Sequence, residues 1–550
     1  MSDFIPAHKA LVDWAEKMPD RGFLYQPVKG EIRRHSIAES EDVSRRIAAA
    51  LQGLGLAPGD KVAILAKNSA EWILADIAIA MAGMISVPIY PTANSDTISY
   101  IIGHAEARAI FIGKLDEPEI VGQVVPSSMI SIAFPYDIDG CQHDWQALLD
   151  RYEPLEELHE PDPTDTMSII YTSGSTGKPK GVVMSYGAYH YASCAAKDVI
   201  EIRPEDRMLS YLPLSHVTER SVTAGPVIYA GARCSFTESL KTFQHDLRTA
   251  RPTLFLSVPR LWVKFQSGIH AKIPPGKLKF LLAIPVLRRI VARKIRAELG
   301  LDECRSFGSG SAPISPLTIR WYMKIGINIG EGWGMTETSG ASCTNSPFRA
   351  DLVGTIGAPL PGTEMKISGD GELLIRSPGL FTEYYKQPQL TREVMTEDGF
   401  FRTGDKAEYD DRLGAFRITG RVKDIFKSAK GKYVTPVPIE SRLSGNPLLE
   451  QICVMGAGLP APVAVVVLSE AARNLPAASV ISSLGATLTD VNQHLESHER
   501  LSHIVIAEDE WTTENGLLTP TLKVKRNVLE KKYNALIGRP AGGKVVWEAE

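Results

Sequence analysis

The chain has 550 residues, too many for one hydrophobic core, and a usual unit of about 150 residues divides it into roughly three to four folding units. With 44% hydrophobic residues, 23% charged residues and a formal net charge of -4, it reads as a soluble globular protein, which argues against disorder, a fibrous fold and general nucleic-acid binding. Six cysteines, at 141, 194, 234, 304, 343 and 453, stand singly with no CxxC pair, which signals neither a zinc site nor a disulfide framework and suits a reducing cytosol.

The opening residues, MSDFIPAHKALVDWAEKM, lack the basic-then-apolar order of a secretory signal. The purest apolar stretch, 77–85, is about half the ~18 residues that a membrane span needs. Residues 61–65 predict a strand, Asn68 with Glu71 a capping box that opens a helix, Gly83 the end of that helix, and 85–90 the next strand. Similar alternation of strand-like runs, Gly or Pro breaks and helix-like segments recurs at 211–236 and 252–265, which predicts an α/β domain rich in parallel strands. After about Asp351, short strands with turn residues between them predict a smaller β-rich part. Past Arg421, strands at 451–455 and 463–468 with a helix around 487–499 predict a compact α+β terminal domain.

Residues 171–182, YTSGSTGKPKGV, join a strand-like run at 167–171 to another at 181–184. Small residues let backbone N–H groups turn inward, hydroxyls add donors and lysine adds charge, a combination that suits a polyphosphate. This is not a Walker loop: Lys178 is followed by Pro179 and a strand, where that motif needs a Ser or Thr and then a helix whose N-terminus faces the anion. Composition alone favours a mobile hairpin loop, so companion motifs have to decide.

Four companions follow in order: GWGMTET at 332–338, FRTGD at 401–405, GRVKDIFKSAKGKYV at 420–434 and LLTPTLKVKR at 517–526. Together the five motifs resemble the adenylate-forming superfamily of acyl-CoA synthetases, luciferases and peptide-synthetase adenylation domains, from about residue 60 to about residue 526. The resemblance implies a large N-terminal AMP-binding domain over 1–420, its β-rich part at about 351–420, and a small mobile C-terminal domain over 421–550. It also implies a reaction in which a carboxylate attacks the α-phosphate of ATP and a thiol then displaces AMP.

Site roles follow by the same resemblance. Ser173, Ser175, Thr176 and Lys178 surround the β- and γ-phosphates, Thr172, Gly174 and Gly177 complete the nucleotide loop, and 179–181 stiffen its far edge. Glu337 is the magnesium ligand with Ser175 as hydroxyl partner, and Thr336 contacts the α-phosphate. Trp333, beside Gly334, stacks on adenine where the family often has tyrosine. FGSGSAPI at 307–314 lines adenine and the acyl group through Gly310, Ser311 and Ala312, with Ser311 in place of a frequent glycine. Asp405 accepts hydrogen bonds from the ribose hydroxyls, with Arg421 beside it. Lys423 is the hinge, Lys427 reaches the nucleotide in one orientation of the C-terminal domain, and Gly431 lets the pantetheine of coenzyme A approach. Lys523 bridges carboxylate and α-phosphate during adenylation, while Lys525 and Arg526 read as a solvated strand edge.

YLPLSHVTER at 211–220 resembles the long-chain fatty acyl-CoA synthetase branch, where such a segment borders the acyl pocket. His216 is either the catalytic side chain near carboxylate or adenylate, or a buried structural histidine. The activity expected is ATP- and magnesium-dependent conversion of a medium- to long-chain fatty acid to acyl-AMP, then with coenzyme A to acyl-CoA, AMP and pyrophosphate. Alternatives are loading of a carrier protein, ligation of an aryl or short-chain acid, luciferase-like oxygenation, and a non-catalytic module. The last ranks lowest because Glu337, Asp405 and Lys523 are all present. Finally, KLKFLLAIPVLRRIVARKIRAEL at 277–299 sets seven basic residues against one acid, with apolar positions 287, 290, 291, 295 and 299 at helical spacing. A solvated surface helix is the preferred reading, and peripheral attachment of a cytoplasmic enzyme to an anionic membrane is the alternative.

Overall fold

Strand Lys61–Ala66 is buried on both faces and pairs in parallel with Ile85–Ile89 and Ala107–Gly113, as a central parallel strand must. The computed structural model describes residues 4–172, 178–513, 515–519, 523–538 and 542–549. In it these strands form the middle of an eight-stranded sheet in the order Glu383–Tyr384, Lys180–Ser185, Thr166–Thr172, Ile85–Ile89, Lys61–Ala66, Ala107–Gly113, Ile130–Ala133, His143–Asp144. Helix Ala70–Met81, buried throughout, packs on one face, where Trp72, Ile73 and Ile77 join the largest apolar cluster. Its N-cap differs from the expectation. Ser69 accepts from the Trp72 amide, whereas Asn68 donates to Ser210 and Leu212 and Glu71 pairs with Arg33, so long-range partners take both predicted box residues.

A second sheet, Leu254–Ser257, Ser306–Ser309, Ile329–Met335, Gly340–Thr344 and Ala358–Pro359, begins parallel and then turns antiparallel. Over it lies a helical hairpin, Pro275–Ala283 and Pro285–Leu299. The basic stretch is therefore two helices broken at Ile284, and Ile290, expected on the inward face, points outward while Ala292, Ile295 and Leu299 are buried. The β-rich part is a four-stranded antiparallel sheet, Glu364–Ile367, Glu372–Arg376, Phe401–Asp410 and Ala415–Arg421.

The C-terminal part is built on the sheet Leu449–Met455, Val463–Leu468, Ile504–Ile506, Val545–Trp547. Its helix Ala477–Gln493 starts earlier than the expected 487–499. Val480, Leu484, Leu488 and Val491 recur at helical spacing and pack on one sheet face, which overrides the weak propensity of the serines and Gly485. Helix Arg526–Ile537 covers the other face through Leu529, Tyr533 and Ile537. Arg526 is not a solvated edge residue: it pairs with Glu440 at 2.7 Å and with Asp424 at 3.8 Å, which ties the start of the C-terminal part to its last helix.

Candidate active site

Strand Ile329–Met335 runs to a sharp turn and returns as Gly340–Thr344. The turn requires Ser339 at φ 55° and Gly340 at φ 115°, and a Cβ on Gly334 would lie 1.6 Å from the Gly340 carbonyl oxygen. No larger residue fits at 334, so the chain is pressed tightly there and Thr336 and Glu337 are held at the end of the strand. In open α/β sheets the carboxyl ends of strands are where ligands bind. Glu337 is buried, and its Oε1 accepts a hydrogen bond from the Tyr384 hydroxyl at 2.8 Å. The Lys180 ammonium lies 4.0 Å from the Tyr384 ring centroid. Burial lowers the Lys180 pKa, the Glu337 charge opposes that shift, and Lys423 adds to it.

Asp405 and Arg421 are direct cross-strand neighbours, and the Arg421 Nε sits 3.1 Å from Asp405 Oδ1. The other carboxylate oxygen accepts from the Trp333 indole N–H at 2.9 Å. Three residues read from three separate motifs thus form one chain, Trp333–Asp405–Arg421. Burial pushes the Asp405 carboxyl up, while Arg421, Trp333 and Lys523 oppose it.

Lys523 enters this cluster from the C-terminal part. Its side chain is open to solvent, within electrostatic reach of Asp405 and Glu337. Desolvation lowers its pKa, Arg421 adds to that, and Asp405 and Glu337 oppose it. The Arg260–Glu450 ion pair links the two parts in this arrangement, and Gly445 leaves little room beside Leu317, since a Cβ there would lie 3.1 Å from Leu317 Cδ1. His216 faces the same place. Its Nδ1 accepts from the Thr218 amide at 3.2 Å, which leaves the proton on Nε2. Burial, then the Lys523 charge, lowers its pKa to about 3, so at neutral pH it is an uncharged donor.

Gly310 and Ser311 follow strand Ser306–Ser309, and Ser311 adopts φ 67°, the left-handed conformation that a glycine takes without cost. Together with Trp333 and Thr218 they border a cavity of about 310 Å³. Met208, Val222, Leu254, Phe255 and Phe307 give it apolar lining, while Glu201, Arg305, Asn328 and Asn345 also border it. Ala312 is exposed beyond this rim.

Other expected residues lie elsewhere. Thr172 ends its strand, and Ser173, Gly174, Ser175, Thr176 and Gly177 lie outside the described residues. The Lys178 ammonium sits 5.4 Å from the Tyr100 ring centroid, so Lys180, which the motif reading passed over, is the lysine near Glu337. Lys423 occupies a short 3₁₀ turn, Val422–Asp424, and is exposed. Lys427 sits over the Tyr433 ring, and Gly431, at φ 74°, makes the tight turn of the same small hairpin. Tyr384 was also missed, since nothing local in EYYK signals a bond to a residue 47 positions away.

Two carboxyls flank the site, Glu219 buried and Glu331 half-buried with its Oε2 shielded from water. Desolvation pushes Glu219 up to about 8, against hydrogen bonds from Ser210, Thr223 and the Tyr211 amide; it pushes Glu331 up to about 8, against backbone bonds at Ile314 and Gly354. Each folded carboxyl keeps its proton until about pH 8, whereas an unfolded one loses it near 4.5, so their stabilisation is full below 4.5 and is lost as pH rises to 8. Half-buried His216 and buried His8, lowered to about 3 and about 4, act in the opposite direction, but only below their unfolded value of 6.5. Unfolding free energy is therefore expected to fall between pH 6.5 and 8, by up to about 1.4 kcal/mol per group for each pH unit. Denaturant titrations of an E219Q/E331Q variant should show a flatter profile across that window, and an unchanged slope would contradict the assignment.

Comparison with known proteins agrees with this geometry. The AMP-binding enzyme family matches residues 11–385, and the AMP-binding enzyme C-terminal domain family matches residues 423–539. The chain is 30% identical to a protein of Mycobacterium tuberculosis named long-chain-fatty-acid–CoA ligase FadD15, covering 94% of this chain and 93% of the relative. It is 31% identical to the peroxisomal long chain acyl-CoA synthetase 6 of Arabidopsis thaliana, covering 90% and 80%. Its fold superposes on the adenylation domain of a carboxylate reductase from Mycobacterium chelonae with a TM-score of 0.82 at 24% identity, covering 97% and 91%. A TM-score of 0.80 at 20% identity, covering 97% and 98%, relates it to an anthranilate CoA ligase solved with anthranoyl-AMP. The chain belongs to the AMP-binding enzyme family and is an AMP-forming acid–thiol ligase.

Proposed function

We propose that the protein joins medium- to long-chain fatty acids to coenzyme A, through a fatty acyl-adenylate, in the cytoplasm. The observation that carries this reading is the cavity of about 310 Å³, which has polar groups beside Trp333 and Ser311 and includes Met208, Val222, Phe255 and Phe307 as apolar lining. An adenylate sits at the polar end and an alkyl chain follows the apolar wall, which gains roughly 0.8 kcal/mol per methylene removed from water. The names of the relatives, long-chain-fatty-acid–CoA ligase and long chain acyl-CoA synthetase, support the same substrate class.

Trp333 faces the adenine, Asp405 and Arg421 take the ribose, and Lys180 and Lys178 flank the phosphate loop. Neutral His216 donates from Nε2 to the carboxylate, and Lys523 offsets the charge that builds between carboxylate and α-phosphate. Magnesium fits the donor set as a nucleotide-borne ion. Among the described residues no cluster of three or more His, Cys, Asp or Glu side chains could hold a metal, and Glu337 has one oxygen bonded to Tyr384 and one left to offer. A magnesium ion that arrives on phosphates needs only one or two protein carboxylates. When bound, it screens the charge of the leaving pyrophosphate.

The division into 1–420 and 421–550, with rotation about Lys423, lets one active site serve two steps. Lys523 withdraws, and the hairpin carrying Lys427 and Gly431 brings pantetheine in. Exchange of labelled pyrophosphate into ATP tests the first step. Exchange should depend on fatty acid and rise with chain length as the apolar wall fills; exchange supported only by short or aryl acids would overturn the substrate assignment.

A further inference from the structure

The hairpin Pro275–Ala283 and Pro285–Leu299 has two apolar surfaces, and only one is used inside the protein. Leu278, Ala292, Ile295 and Leu299 pack inward with Phe255 and Phe307, which also form part of the cavity wall. On the outer surface Phe280 is 65% exposed, Val286 68% and Ile290 60%, with Ile284 at the break between the helices 38% exposed. Val286 and Ile290 stand one helical turn apart, so they share a face with the break at 284–285.

Around these side chains stand Lys277, Lys279, Arg288, Arg289, Arg293 and Lys294, all exposed. None of the six forms an ion pair among the described residues. The single acid of the hairpin, Glu298, is taken by Arg248, and Arg296 donates to the Gly326 carbonyl. Long cationic side chains stand around an exposed apolar patch. A protein partner would ask for shape and for acids at matching positions; a lipid surface asks only for apolar side chains that enter below the headgroups and cations that meet them.

We propose that this hairpin docks the protein on an anionic bilayer surface, with Phe280, Ile284, Val286 and Ile290 at acyl-chain depth and the six cations on the headgroups. Because its inner face packs on the cavity wall, docking sets the cavity close to the membrane. The docking surface stands on the hairpin alone; its use in collecting fatty acid rests on the ligase reading above.

Co-sedimentation with vesicles tests it without any turnover. The full-length protein should pellet with phosphatidylcholine vesicles containing phosphatidylglycerol at least about tenfold more than with pure phosphatidylcholine, and salt should weaken the binding. F280D/V286D/I290D and K279Q/R288Q/R289Q/R293Q should each lose that binding, while both variants keep wild-type circular dichroism and a wild-type thermal unfolding midpoint. No pelleting, pelleting indifferent to anionic lipid, or binding that survives both variants would overturn the proposal, including in favour of a protein partner. Anionic-vesicle binding in a protein that activates no fatty acid would leave the docking surface intact and refute the ligase reading alone.

Discussion

Replacing Lys523 by alanine should lower acyl-adenylate formation by about 100- to 1,000-fold, the usual cost of removing one group that meets charge developing in a transition state. The placement of the side chain argues for this size of effect. Lys523 lies within electrostatic reach of His216, Asp405 and Glu337, which the sheets supply from three different motifs, and it is the group that the C-terminal part adds to the cluster. Formation of thioester from acyl-adenylate supplied ready-made should survive, since the bond to the α-phosphate already exists. The two half-reactions, measured separately by pyrophosphate exchange and by release of AMP from synthetic acyl-adenylate, should therefore diverge. Equal loss in both would remove Lys523 from the adenylation step.

The second large effect is structural. Arg220 is fully buried and donates from Nη2 to both carboxylate oxygens of Asp76, at 2.8 and 2.7 Å, and from Nη1 to Ser168 at 2.7 Å. One guanidinium thus ties helix Ala70–Met81, strand Thr166–Thr172 and the π-helical turn Glu219–Ala224 that follows His216. Asp76→Ala leaves that cation buried without its partner, so it should cost about 3–5 kcal/mol, because breaking a buried pair costs far more than the pair contributes. A D76A/R220M double variant should recover part of the loss, as apolar side chains of similar volume replace buried pairs with little penalty. Equilibrium unfolding in denaturant measures both. A loss below about 1 kcal/mol for the single variant would mean that water or a rearranged neighbour satisfies Arg220, against the geometry described here.

Much of the candidate site was legible because its residues stand in short motifs. Trp333, Glu337, Asp405, Arg421 and Lys523 each stand in a local pattern, and the fold brings these five together. What escaped was the set of contacts between motifs. Lys178 and Lys180 are two apart in one segment, but only Lys180 opens a strand, where the pleat fixes its direction toward Glu337; Lys178 precedes the strand and reaches Tyr100. The Asn68–Glu71 box failed for a related reason. Its spacing is right for a cap, yet Asn68 finds Ser210 and Leu212 more than 140 positions away, and no local rule competes with that. Arg526 sits next to exposed charge in the sequence and looked solvated, although Glu440 and Asp424 wait for it across the C-terminal sheet. The basic stretch at 277–299 has the opposite history: its helical spacing was clear, but a single apolar face could not account for both Ile295, which is buried, and Ile290, which is 60% exposed.

The central claim is that one cluster, closed by Lys523, makes an adenylate of a fatty acid and then hands the acyl group to coenzyme A. A single reaction with ATP, magnesium, coenzyme A and saturated fatty acids of increasing length, with all products quantified by mass spectrometry, tests it most directly. The account predicts acyl-CoA, AMP and pyrophosphate in equal amounts, and acyl-adenylate in place of acyl-CoA when coenzyme A is left out. ADP and phosphate as the nucleotide products, or acyl-adenylate that persists unchanged when coenzyme A is present, would contradict it.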